Sequence, residues 1–203
     1  MLSAILLFAA VGLFDYKAFR RLARISRIEL IFAIMAAVSF GVLQGVAVSV
    51  GATLLYVMYV AATPRDALLG RRPGETVLCK PHLNPDARPL PDTIVWLFES
   101  SIWFFNADAF RRRAKEVLQA APDARLFVLN AEAMTHADAD AIEALLTLKQ
   151  ELDTRHITLM LASGHGSFRF ALERSGLADR IGREHIFVSP EQAVEKILSS
   201  RPE

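Results

Sequence analysis

The chain has 203 residues, a formal net charge of +1 and one cysteine, Cys79. A single cysteine excludes an internal disulfide framework, and Cys79 has no CxxC or Cys/His spacing that would suit a metal. No basic stripe interleaved with aromatics is present, which argues against a nucleic-acid groove. The near-neutral total hides a split. Between Leu13 and Ile28 lie Lys17, Arg20, Arg21, Arg24 and Arg27 against Asp15 alone, whereas from Thr63 onward 18 basic residues stand against 20 acidic ones. A basic belt beside an apolar segment points to a membrane surface and a lipid partner.

In chain order, Leu2–Phe14 is apolar but spans only about 20 Å as a helix, short of a hydrocarbon core of about 30 Å. It is expected to be the truncated end of a transmembrane helix (1–14), followed by a basic cytoplasmic loop (15–27). Leu30–Ala62 would run about 50 Å as one helix, too long for one span. Gly41, Gln44 and Gly45 in its middle suggest a turn. The expectation is a hairpin of two short transmembrane helices over 28–62, roughly 28–43 and 45–62. Arg24 and Arg27 flank one outer end and Arg65, Arg71 and Arg72 the other, so the positive-inside rule makes that side cytoplasmic. One long buried helix in a soluble protein is the rival.

Residues 63–74 are expected to be a linker, the start of a stretch rich in proline and glycine that continues to Asp92. One short strand candidate, Thr76–Lys80, interrupts it. The 75–200 region then alternates. Thr93–Phe98, Arg125–Leu129, Ile157–Ala162 and Ile186–Val188 have the apolar character of buried strands. Between them, helices are expected over 106–120, with Asn106 as N-cap, over 138–154, and over 167–175, ended by Gly176. A last helix is expected over 190–199, with Ser189 as N-cap and Pro190 at its first position. Such alternation predicts an α/β layer with a mixed, largely parallel sheet of about four to five strands.

Five stretches carry a family resemblance: GLFDYKAFRRLARISRIEL (12–30), FGVLQGV (40–46), ESSIWFFNADAFRRR (99–113), LFVLNAEAMTHADADAIEAL (126–145) and LERSGLADRIG (172–182). Together they resemble the C-terminal third of a SulP anion transporter, whose last transmembrane helices precede a cytoplasmic STAS domain. The resemblance implies secondary transport of sulfate, bicarbonate or a dicarboxylate by the whole protein. It places the substrate site in earlier helices that this sequence does not contain. The chain is therefore expected to be a multi-pass fragment in the cytoplasmic membrane, unable to transport alone, with its STAS domain in the cytoplasm. Expected partners are the remaining transport domain, a second copy of the chain and a regulatory protein on the STAS domain. A membrane-tethered STAS interaction module is the alternative.

The same resemblance bears on the loop after the second strand. STAS relatives carry an Asp-Ser-Ser-Gly-like motif there, whose first serine is phosphorylated. Asp138 matches the aspartate, but the acceptor position is Ala139, which lacks a hydroxyl, and Asp140 follows. His136 stands where transporter STAS domains commonly carry an acid. Thr135, His136, Asp138 and Asp140 are the interaction-loop candidates. Asp140 is also a candidate mimic of a permanent phosphate charge. The plainer assignment makes Asp138 a helix N-cap and Asp140 a dipole partner. Gly164, Gly166 and Ser167, between a strand and a helix, are candidates for an anion or nucleotide loop, with a plain tight turn as the alternative. Arg111–Lys115 is expected to be a solvated basic face, with contact to anionic lipid headgroups or the missing transport domain as the alternative, and Trp103–Ala107 to pack in the core. No catalytic residue, metal site or cofactor is expected, because the acids lack a convergent nucleophile and the five histidines lack ligand spacing.

Overall fold

The computed structural model describes residues 42–162 and 164–199. The chain divides into two units, Met1–Val60 and Ala61–Glu203. The described part of the first is helix α1, Val42–Ala62, whose last two residues belong to the second unit. It runs through Gln44 and Gly45, where a turn was expected, so those residues are carried inside a helix. The first expected span lies outside the described residues. α1 contains no Asp, Glu, Lys or Arg, and Leu43, Val50, Leu54, Leu55, Val57 and Val60 are exposed along it. Among the described residues, no helix is long and apolar enough to cross a membrane.

The second unit is an α/β layer. Its strands are β1 (Asp66–Leu68), β2 (Gly70–Arg71), β3 (Leu78–Cys79), β4 (Thr93–Phe98), β5 (Leu126–Asn130), β6 (Thr158–Ala162) and β7 (Ile186–Phe187). Its helices are α2 (Ala107–Ala120), α3 (Ala139–Thr154), α4 (Gly166–Arg174), α5 (Leu177–Ile181) and α6 (Pro190–Ser199). The main sheet has the order β1-β4-β5-β6-β7; β1 is antiparallel to β4 and the other pairs are parallel. β2 and β3 form a separate antiparallel ribbon. Residues 63–74 thus supply β1 and β2 rather than a free linker, because Asp66–Leu68 finds the open edge of β4.

Strand order advances one way from β4 to β7, so right-handed crossovers bring the connecting helices to one face. Strand residues alternate between the faces. Ile94, Trp96, Phe98, Phe127, Leu129, Leu159 and Leu161 form one core with Phe110, Leu118, Leu145, Leu152, Phe168 and Leu172 of α2, α3 and α4. Val95, Val128, Met160 and Ala162 face the other way and meet Ala193, Val194 and Ile197 of α6. With both faces covered, the central strands are continuous apolar runs. The larger core is centred on Trp96, whose ring lies 5.1 Å from Phe110 and 5.9 Å from Phe127. Each such buried side chain contributes about 2 kcal/mol relative to exposure.

Candidate functional site

Parallel neighbours leave a sheet at the same edge, so the segments following β4, β5 and β6 gather there. Asn130 of β5 pairs in register with Ala162 of β6, and the Ala131 N–H donates to Ala162 O at 2.8 Å. This brings the two candidate loops together, although they stood apart in the sequence. Ser167 donates from its hydroxyl to the carbonyl of Thr135.

The 131–138 loop is pinned from within and from beneath. The Glu132 N–H donates to Asn130 Oδ1 at 3.1 Å, and the Met134 N–H to Ala131 O at 2.9 Å. Met134 is fully buried, which anchors the loop's middle to the core. Below Thr135 lies the buried Ser101, whose Oγ accepts from the Thr135 N–H at 3.0 Å and lies 3.2 Å from Thr135 Oγ1. Sequence reasoning missed Ser101; the available signal was a pair of serines, Ser100 and Ser101, just beyond the end of the apolar strand β4.

Above this anchor the candidate side chains are accessible. Thr135, His136, Ala139 and Asp140 are exposed, and Asp138 is half-buried. His136 Nδ1 lies 3.0 Å from Thr135 Oγ1, and its ring stacks on Trp103 at 6.1 Å. Asp138 caps α3: its Oδ1 accepts from the Ala141 N–H at 2.8 Å. Asp140 lies in the first turn of α3, where its charge complements the helix dipole. Ala139, the first residue of α3, offers only a methyl group.

Several local expectations change. Asn106 occupies the N-cap position of α2 but makes no side-chain cap there. It is completely buried; its Oδ1 accepts from the Trp103 N–H at 2.8 Å, and its Nδ2 donates to Ser101 O at 3.1 Å and Ala61 O at 3.3 Å. The aromatics before it do not pack as a core: Trp103 and Phe105 are partly open and Phe104 is 72% exposed. Ile102 takes the core position instead. The basic run on α2 is not simply solvated, because Arg113 pairs with Asp66 and Arg111 with Asp108.

The glycine loop starts α4 one residue earlier than expected, at Gly166, with His165 before it making no side-chain cap. A Cβ at Gly164 would come 2.8 Å from the Phe168 ring, so close packing demands glycine there. Gly164 also lines a cleft of about 590 Å³ at this end of the sheet, where ligands of α/β folds generally bind. Its charged lining is mixed, with Lys80 and Arg169 alongside Glu132 and Glu191.

A family model described as the STAS domain matches residues 84–193. The chain belongs to the STAS domain family. Over 198 residues that include the STAS match, the chain is 36% identical to a probable sulfate transporter of Mycobacterium tuberculosis, covering 96% of this chain and 35% of that protein. Over 211 residues it is 31% identical to the chloroplastic sulfate transporter 4.1 of Arabidopsis thaliana, covering 97% of this chain and 31% of the relative. The chain therefore spans well under half the length of these relatives, as its resemblance to the C-terminal part of SulP proteins implied. In fold it is similar to the murine solute carrier 26 family member A9 anion transporter in the inward-facing state. That match has a TM-score of 0.77 at 18% identity, over 93% of this chain and 31% of the other. A sulfate transporter family protein of Wolinella succinogenes superposes with a TM-score of 0.50 at 21% identity, over 61% of this chain and all of that one.

Proposed function

We propose that this chain is the C-terminal portion of a SulP-type secondary anion transporter, carrying its regulatory STAS domain. The observation that supports this most is the alignment with named sulfate transporters across 96% of the chain but 35% of the relative, with the STAS match inside it. The chain does not move an anion by itself; the transport domain that would do so belongs to the longer protein. Although α1 is not long and apolar enough to cross a membrane by itself, it belongs to the membrane part of the longer protein, packed among other helices. It is uncharged and exposes apolar side chains along its length, while Gln44, Gly51 and Thr53 suit packing against other helices rather than lipid alone. The STAS domain lies on the cytoplasmic side of a multi-pass membrane protein.

On that domain, Thr135, His136, Asp138 and Asp140 with Trp103 form a contact surface for a regulatory protein. A buried anchor at Ser101 and Met134 under an exposed rim is the arrangement that keeps a contact loop in one shape. Ala139 removes the hydroxyl that a phosphorylation switch needs, so contact is controlled by means other than a phosphate at that position.

The test is the mass of the native protein in source-cell membranes, detected with an antibody to the 75–200 region. A band far above 22.5 kDa is expected. A band at 22.5 kDa in the membrane fraction would instead favour a tethered STAS module acting alone.

A further inference from the structure

The short ribbon before β4 holds an arrangement that a stable surface avoids. Arg71 and Arg88 are antiparallel partners. The Arg71 N–H donates to Arg88 O at 2.9 Å and the Arg88 N–H to Arg71 O at 3.0 Å. A pair that exchanges both bonds projects its two side chains to one side, with Cα atoms about 5.5 Å apart. Like charges directly opposite each other are destabilising. Gly70 makes the close approach feasible, since a Cβ there would come 2.9 Å from Arg88 O.

Both arginines and Arg72 line a concavity of about 330 Å³, with Pro89, Leu90 and Leu198 as its apolar wall. The carboxylate that reaches this group is Glu75, 3.5 Å from Arg72 Nη1 and half exposed. Its backbone carbonyl accepts from Arg71 Nε. Arg72 also donates to Asn84 Oδ1, but its buried Nε finds no partner among the described residues. Arg88 is exposed, and no ion pair forms on it among the described residues. Among the described residues, three guanidinium groups thus gather around a hollow with the Glu75 carboxylate at Arg72.

We propose that Arg71, Arg72 and Arg88 bind a tetrahedral oxyanion, the chemistry shared by free sulfate or phosphate and a lipid headgroup phosphate. Guanidinium forks match such oxygens in pairs, and the anion offsets the repulsion between Arg71 and Arg88. Gly70 is a positioning residue that sets their spacing. The site shares no residue with the contact loop and stands or falls independently of the transport reading.

The experiment is thermal unfolding of the full chain in neutral detergent. Sodium sulfate and sodium phosphate are each compared with sodium chloride at matched ionic strength, which controls for screening. Separate samples carry phosphatidylglycerol or phosphatidylcholine in the micelles. The midpoint of the wild type rises with the occupied anion, as binding to the folded state requires. A rise with sulfate and phosphate identifies a free oxyanion; a rise with phosphatidylglycerol alone identifies a headgroup. Arg88→Gln shows no such rise and, without oxyanion, melts at or above the wild type because the repulsion is gone. Arg88→Lys keeps the charge without the fork and weakens the response about tenfold in apparent affinity. The proposal is overturned if every anion acts as chloride does, or if Arg88→Gln follows the wild type in each series.

Discussion

Arg113 grips Asp66 with two parallel hydrogen bonds, Nε to Oδ1 at 2.9 Å and Nη2 to Oδ2 at 3.0 Å. The Trp96 indole N–H donates to the same carboxylate at 2.8 Å. One side chain of the edge strand β1 is thereby tied both to α2 and to the centre of the core. The pair explains why a three-residue strand that begins with a charged aspartate holds its place at the sheet edge.

The tie makes stability depend on pH. Burial opposes ionisation of Asp66, but the hydrogen bonds from Arg113 and Trp96, together with the Arg113 charge, outweigh it and hold the carboxyl below its ordinary value. The folded state therefore binds this proton less readily than the unfolded one. The contribution is complete above the ordinary aspartate value of about 3.9 and is lost as pH falls through the lower folded value. Asp66→Asn should cost about 2 kcal/mol at neutral pH, a figure already reduced for the exposure of Arg113. The gap between variant and wild type should narrow as pH falls below about 3.9. Denaturant titrations across pH 3–7 measure both; a gap independent of pH would show that packing, not the ion pair, carries the effect.

Ser101→Ala should loosen the contact loop without disturbing the sheet. It leaves the Thr135 N–H without its acceptor, at a cost of about 1–2 kcal/mol. Hydrogen exchange should quicken at Thr135 and its neighbours while the β5 and β6 amides stay protected. Uniform acceleration would mean that Ser101 supports the whole fold instead.

How far such features were legible in the sequence depends on whether their causes are local. Thr93–Phe98 and the strands after it were apparent because both sheet faces are covered, leaving an apolar run with nothing polar to confuse it. Ser189 was legible as a cap, and its Oγ accepts from the Gln192 N–H at 3.3 Å. β1 was hidden because Asp66 is made acceptable by Arg113, 47 residues away. Asn106 deceived for a related reason. Its residue type suits a helix cap, but the buried Ser101 carbonyl and the Trp103 N–H outbid the helix terminus for its amide. The meeting of Thr135 with Ser167 spans 32 residues and follows from strand register, which the loops themselves do not encode.

Asp138 is the candidate residue whose structural role is most directly measurable. Asp138→Ala should destabilise the domain by about 1 kcal/mol, while Asp138→Ser should recover most of that loss because its hydroxyl can accept from the same N–H. Urea unfolding of the three proteins provides the comparison. If Ser and Ala lose stability equally, the aspartate acts through its charge on the helix dipole and not as a hydrogen-bond cap.

The end of α3 supports a prediction of the opposite sign. His156 has a φ of 57°, the left-handed conformation that most side chains resist. It follows the helix's C-cap, Arg155, and its N–H donates to Asp153 O at 3.0 Å, while the Ile157 N–H donates to Leu152 O at 2.8 Å. This is the bonding of a Schellman terminus, where glycine is the usual occupant. Leu152 and Ile157 belong to the same buried core, so the terminus is held by packing despite the histidine. His156 is exposed, and removing its side chain leaves no buried gap. His156→Gly should therefore stabilise the domain by about 0.5–1 kcal/mol, relief of backbone strain exceeding the added freedom of the unfolded chain. His156→Ala should gain nothing, since alanine keeps the Cβ that causes the strain. A higher denaturation midpoint for the glycine variant alone is the expected result; equal midpoints for glycine and alanine would locate the effect in the imidazole ring.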